Sequence, residues 1–581
     1  MSKESEPTPN HASARSAGGD LASGPVQWRK ADEVMRLSRL GSFHQCRLSF
    51  MRILTRRMQR DKWQLSHREF AIDSAGVGYA VYSMQGPDRT YSLVAFAHDL
   101  PDELRSDRVI ATAWDATFAL FDGIPTQQDI ERLQINVPVQ EAGRLSPTEL
   151  TLSRANRSVR LWEHVVSELA AGRQPDTKLI DSVGYLMRTT AVYGSGKFGA
   201  SDRTEISSRA EFDAPFQAEM LTVYLIRTFV RDLVQHMANC RGGSAAATLS
   251  PEIARRLGIG NSTGLGMAPF LINHPQLFNN WIVVREEAIM RVRNQPAATV
   301  EQSRCFLDLL DRSIQSFDLW HSEHPLQAEK ISALQDDIRL LRRQARIQDF
   351  TGGYPWNALF DWATEAVGIE AQECLASLIL EPYADLVDGL DLCMSSPESG
   401  IFRIDGSMNV GALSAIIQEN YSWALSIDWK EPGNAARAWY VSEEKLEPRL
   451  GERYEEPIAD YEQPLAPARD IAALYETIKN VQASKLTAEL LMEQPALRYA
   501  VRRVQLCAKA PYAEIRDNTI SEQLIPFDML RCKLSFFGAT HFDPRSDRWL
   551  RICLYANAPY PEELVEGDAD TWVYPTLHAA T

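Results

Sequence analysis

Residues 77–98 read VGYAVYSM (77–84), Gln85, GPDR (86–89) and TYSLVAFAH (90–98). Two β-rich runs with period-two alternation, joined by Gly-Pro-Asp-Arg, predict an antiparallel hairpin. The next apolar run, RVIATAWDATFALF (108–121), predicts a neighbouring strand. The region is therefore antiparallel rather than a strand–helix–strand unit.

Upstream the texture is different. Residues 27–70 carry eleven basic side chains against four acidic ones, a net +7 inside a chain whose 61 Lys and Arg stand against 77 Asp and Glu, or −16. The remainder then holds −23, so the simplest partner of this segment is the acidic body of the same protein. Phe43, Cys46, Phe50, Ile53, Leu54 and Met58 recur at helical spacing while Arg52, Arg56 and Arg60 line another face, which predicts an amphipathic helix with a solvated cationic side. Residues 1–26 are polar, lack the apolar core of a secretory signal and read as a disordered tail.

Downstream, helical signals dominate 146–345. SPTEL offers Ser146 as cap, Pro147 at the first helical position and Glu149 three residues after the cap. The stretches 153–172, 216–240 and 281–294 have apolar residues at helical spacing. From 346 to 581 the pattern is mixed: helices near 357–392 and 467–508, and β-rich runs at 421–429, 437–442, 529–539 and 548–555, the last two read as a second hairpin. The expected fold is α+β, a central helical bundle flanked by two antiparallel β-containing regions, divided as 1–26, 27–145, 146–345 and 346–581.

Composition limits the function. The 45% hydrophobic and 24% charged content is ordinary globular usage. The eight cysteines contain no CxxC pair, which argues against zinc ribbons and clustered iron–sulfur motifs, and with the absent signal they suggest a reducing, cytoplasmic setting. No run is long enough for a membrane helix, since Arg and Asp interrupt even LTVYLIRTFVRDLV (221–234). The acidic balance disfavours nucleic acid as a partner.

Two glycine strings attract attention. Gly194-Ser195-Gly196-Lys197-Phe198-Gly199 spells GxGxxG, but no strand-turn-helix context surrounds it and it is not a P-loop, which leaves a bend whose amides and Lys197 hold a carboxylate or phosphate. Gly258-Ile-Gly260-Asn261-Ser262-Thr263-Gly264-Leu-Gly266 admits three readings. As GxSxG it makes Ser262 a serine-hydrolase nucleophile, a reading that needs a strand before Ser262 and a helix after it. The run LSPEIARRLGIGNST (249–263) resembles the first helix and turn of a helix-turn-helix regulator, which implies a DNA-recognition helix from Ser262 onward, although Gly264, Gly266 and Pro269 would weaken it. The favoured reading is a polar loop in which Gly260, Asn261, Thr263 and Gly264 meet a small ligand, with His274 close by.

Elsewhere, His98-Asp99 ends the strand TYSLVAFAH and offers a proton shuttle. His541-Phe-Asp543 has the spacing of two iron ligands on a strand, and His321-Ser-Glu-His324 places two imidazoles one helical turn apart, with Pro325 expected to end that helix. The combined expectation is an enzyme that binds a small anionic carboxylate or phosphate. Its catalytic residues would be His98, Asp99, Ser262 and His274, and its ligand-binding residues Gly194, Ser195, Gly196, Lys197, Gly199, Gly260, Asn261, Thr263 and Gly264. A DNA-binding regulator or interaction scaffold and a serine hydrolase are the alternatives.

Overall fold

The computed structural model describes residues 26–36, 38–104, 113–139, 146–189, 209–264, 275–394, 406–430, 438–441, 448–450, 463–464, 467–516, 526–543, 549–564 and 572. The expected hairpin is present. β2 (Gly78–Gln85) and β3 (Thr90–Ala97) pair antiparallel, and the turn closes through Gly86 N–H donating to Arg89 O at 2.8 Å. β4 (Ala116–Asp122) adds to β3 as expected, while β1 (Gln64–Ile72) pairs on the other side of β2.

The sheet then grows beyond what period two announced. β5 (Glu149–Arg157) pairs with β4 and with β6 (Tyr185–Thr189), and β7 (Gly258–Gly264) lies parallel to β6. β12 (Trp549–Leu554) pairs with β7 and β11 (His541–Asp543) closes the edge. The order is β1-β2-β3-β4-β5-β6-β7-β12-β11, so strands from the two ends of the chain share one nine-stranded sheet. A separate three-stranded sheet holds β8 (Ala438–Val441), β9 (Pro448–Leu450) and β10 (Gln463–Pro464). The mixed α+β class stands.

The helices do not form one central bundle. After α1 (Ala31–Val34) and α2 (Phe50–Arg60), α3 (Gln127–Val139) covers one face of β2–β5 through a core of Val81, Val94, Phe96, Ala119, Leu152, Ile130 and Leu133. α4 (Trp162–Ala170) and α5 (Thr177–Val183) lead into β6, and α6 (Gln217–Gly242) spans the β6-to-β7 crossover. α6 is buried on every side from Gln217 to Val230, because it packs against the sheet, α2 and α4. α7 (Pro251–Arg256) follows. The chain between β7 and β12 then inserts a helical layer, α8 (Pro275–Arg293), α9 (Val300–Asp318), α10 (Pro325–Ile347), α11 (Pro355–Ala366) and α12 (Ile369–Leu378), which shares the main core. A second, smaller core joins α14 (Val410–Leu425), α15 (Pro467–Ile478), α16 (Thr487–Glu493) and α17 (Arg498–Lys509); α13 (Ala384–Val387) precedes them and α18 (Pro526–Cys532) follows.

Several expectations are corrected. Ser146 does bond to Glu149, through N at 2.6 Å and Oγ at 2.9 Å, but the pair opens β5 rather than a helix, because Glu149 is claimed by Arg132 of α3 and the residues after it join the β4 ladder. Residues 421–425, read as β, end helix α14 with Tyr421 buried. The run 529–539 is α18 followed by a π-turn over Lys533–Phe537; it is buried on every side, so it carries no periodic signal. Pro325 starts α10 instead of ending a helix, and His321 lies outside any helix.

The basic segment docks inward. Arg29 donates to Glu286 at 2.8 Å and to Glu373 at 2.7 Å, and Glu373 also binds Arg39 at 3.0 Å and Arg285 at 3.0 Å. Arg52 and His44 meet at Glu381, at 2.6 and 2.7 Å. The acidic partners come from α8, α12 and the residues after α12, as the charge count implied. Of the cationic face expected on α2, Arg52 is buried and Arg56 largely so, and only Arg60 at the end of the helix is solvated.

Candidate functional site

One face of the sheet changes character along its strands. On β3 the face runs Val94, Phe96 and then His98; on β4, Ala119, Thr117 and then Asp115; on β5, Leu152, Arg154 and then Asn156. The first members pack under α3, and beyond the end of that helix every strand turns polar. Register fixes the neighbours: Phe96 opposes Thr117, Thr117 opposes Arg154, and Asn156 opposes Arg188 of β6. Arg154 and Arg188 therefore sit on the same face of adjacent strands, offset by one residue pair, within reach of a common group.

Each member is held. Arg154 stacks over the Trp114 ring at 3.9 Å and donates to Pro138 O at 3.3 Å, a carbonyl in the last turn of α3 that the helix itself leaves open. Past the strand pairing of Ala116 with Ala155, side chains continue the ladder: Asn156 Oδ1 accepts from Asp115 N–H at 3.1 Å, and Asp115 Oδ2 accepts from Arg157 N–H at 2.9 Å. His98 Nε2 and Thr117 Oγ1 are 2.8 Å apart. Burial pushes the His98 imidazole below its ordinary range, against the pull of Asp115, so it is a neutral base at neutral pH. Arg154 and Arg188 are each 8% exposed, and Asp115 and Thr117 are deeper.

Of the expected site residues, only His98 belongs to this group. Asp99 is exposed, and among the described residues no hydrogen bond or ion pair joins it to His98; the carboxylate acting on the imidazole is Asp115. Gly260, Asn261, Ser262, Thr263 and Gly264 are not a loop. They form β7, opposite Cys553, Ile552, Arg551, Leu550 and Trp549 in turn. A Cβ at Gly260 would meet the Tyr185 ring at 2.6 Å, so the glycine serves a close approach of strand and ring, not an open anion cradle. Asn261 is fully buried and donates to Thr189 O at 2.9 Å. Ser262 lies inside a strand that runs on to Gly264, so it is not at the strand-to-helix turn of a nucleophile elbow. α7 forms as expected, with Ser250 Oγ accepting from Ile253 N–H at 3.2 Å, but β7 follows it where a recognition helix would have to stand. His274 and the string Gly194, Ser195, Gly196, Lys197 and Gly199 lie outside the described residues; the chain enters that string directly after β6, the strand that carries Arg188.

Sequence reading missed Arg154, Asn156 and Arg188. The alternation Leu150, Leu152, Arg154, Asn156 was available, but the SPTEL cap signal assigned it to a helix. A second buried polar group, Lys533, lies 3.5 Å from Asn261 Oδ1 with its ammonium 4.4 Å from the centre of the Phe537 ring, and burial lowers it to about 7.

Among the described residues no helix is long and apolar enough to cross a membrane. No protein-family model, no curated protein and no solved structure matches the chain.

Proposed function

We propose that the polar end of the α3-covered face binds a small anionic molecule, a carboxylate or phosphate, and that the protein is an enzyme in which His98 handles a proton. The observation that carries the reading is the register that sets Arg154 and Arg188 on one face of neighbouring strands, one residue pair apart. Guanidinium groups match carboxylate and phosphate oxygens in pairs, and a site on paired strands holds its geometry better than one on loops. His98 supports the enzyme reading, because a base that stays neutral near pH 7 beside a bound anion can accept a proton from it. The anion-binding role thereby moves from the main-chain amides of β7 to side chains of β5 and β6.

The test is a melting and calorimetric titration of the full chain with phosphate, pyrophosphate and succinate. At least one should raise the melting temperature, and Arg154→Lys and Arg188→Lys, which keep charge but lose the paired donors, should each weaken it about tenfold, near 1.4 kcal/mol. The proposal fails if none of the three anions shifts the melt, or if both variants, folded by circular dichroism, bind as the wild type does.

A further inference from the structure

A second constellation lies at the opposite end of β3, beside the Gly86–Arg89 turn and independent of the arginine face. Trp63 precedes β1, Tyr91 opens β3, and Arg209 and Glu211 precede α6. The Trp63 and Tyr91 rings lie 6.2 Å apart at 20°, and Phe212 packs on the other side of Tyr91 at 4.6 Å. Arg209 is fixed from behind by Asp122 at 2.9 Å. The Tyr91 hydroxyl sits among these charges, pushed up by burial and by Glu211 and drawn back by Arg209.

Among the described residues four buried polar atoms here have no hydrogen-bond partner: Trp63 Nε1, the Tyr91 hydroxyl, Arg209 Nη1 and Glu211 Oε1. Their side chains are deeply buried; Trp63 is 3% exposed, Glu211 6%, and the Arg209 side chain 9%. A buried unpaired polar group costs about 1–3 kcal/mol, and charged ones more, so four in one cluster mark a place that a bound molecule completes. The four differ in kind: Trp63 and Arg209 offer N–H donors, the second cationic, Glu211 offers an acceptor, and the Tyr91 hydroxyl can serve as either. A ligand that satisfies all of them carries an acceptor anion at one end and a charged donor at the other.

We propose that Trp63, Arg209 and Glu211 form a binding site for a free α-amino acid, its carboxylate on Arg209 and Trp63 and its ammonium on Glu211. The site is separate from the proposed anion face, so either can fail alone. The experiment is a thermal-shift screen of the full chain against each standard L-amino acid at millimolar concentration, followed by calorimetry on any that binds. The expected result is that at least one amino acid binds and that its amine-free acid and its acid-free amine each bind at least about tenfold more weakly. Glu211→Gln and Trp63→Phe should each weaken it several-fold, and Arg154→Lys should not. Trp63→Phe keeps an aromatic side chain while removing the donor, at the cost of some buried volume, so, once shown to be folded by circular dichroism, it reports even if Glu211→Gln does not fold. The proposal is overturned if no amino acid shifts the melt, if the amine-free acid binds equally well, or if Trp63→Phe leaves the affinity unchanged.

Discussion

Glu373 shows how much of this protein rests on single buried charges. Burial alone would raise its pKa, but Arg29 and Arg285 hold it down to about 2, so it is ionised throughout the physiological range. Removing that charge leaves Arg29, Arg39 and Arg285 with Glu286 as their one nearby counter-charge among the described residues, and Glu373→Gln is expected to cost about 3–5 kcal/mol in a denaturant titration. Lys533 is the opposite case. Its pKa is about 7 when folded and near its ordinary 10.5 when unfolded, so the unfolded chain binds more protons between those values. That term makes stability rise with pH from 7 toward 10.5, and Lys533→Met should flatten this part of the wild-type stability profile. At Gly260 the added methyl of Gly260→Ala would press on the Tyr185 ring, with an expected loss of about 1–3 kcal/mol.

At the scale of elements, readability followed local turn and cap chemistry rather than exposure, since β3 is buried on both faces and was legible whereas the exposed β1 was not. β2 and β3 were plain from β-rich composition and from a turn with Gly and Pro, and α7 from its cap. β5, β7 and α18 were misread for one reason: local spelling pointed one way and neighbours decided otherwise. The Ser146–Glu149 bond formed as expected, yet the β4 edge took the following residues into the sheet. The glycines of β7 lower strand propensity, and only the ladders with β6 and β12 hold it extended. These differences predict a gradient in hydrogen exchange measured by mass spectrometry. α6, buried along most of its length, should exchange near the global unfolding rate, whereas β1, an edge strand exposed over nearly all its residues, should exchange first within the sheet. Equal protection of β1 and α6 would contradict the arrangement.

For the whole molecule, the decisive feature is that nearly 300 residues intervene between β7 and β12, two adjacent strands of one sheet. The inserted chain holds both the helical layer of the main core and the separate small core around Leu413, Ile417, Leu474 and Val504. A core of that size is the less stable unit. The thiols can report it: Cys46, Cys374, Cys532 and Cys553 are buried in the main core, Cys507 in the small one, and Cys240 and Cys393 are exposed. In native protein Cys240 and Cys393 should react first with a thiol reagent, and on adding denaturant Cys507 should become reactive before the other four. Simultaneous exposure of all five would mean that the two cores unfold as one.

Sequence alone determined what depends on short range: the first hairpin and its third strand, the long apolar helix, the cap of α7, and the charge imbalance that foretold ion pairs between residues 29–57 and the acidic body. It also singled out His98. Only the tertiary structure decided that both ends of the chain share a sheet, that the glycine string is a strand under Tyr185, and that Arg154 and Arg188 share one face of adjacent strands. Those outcomes rest on pairings between residues up to hundreds of positions apart, and such pairings override local propensity because each buried backbone group must find a partner wherever the chain supplies one.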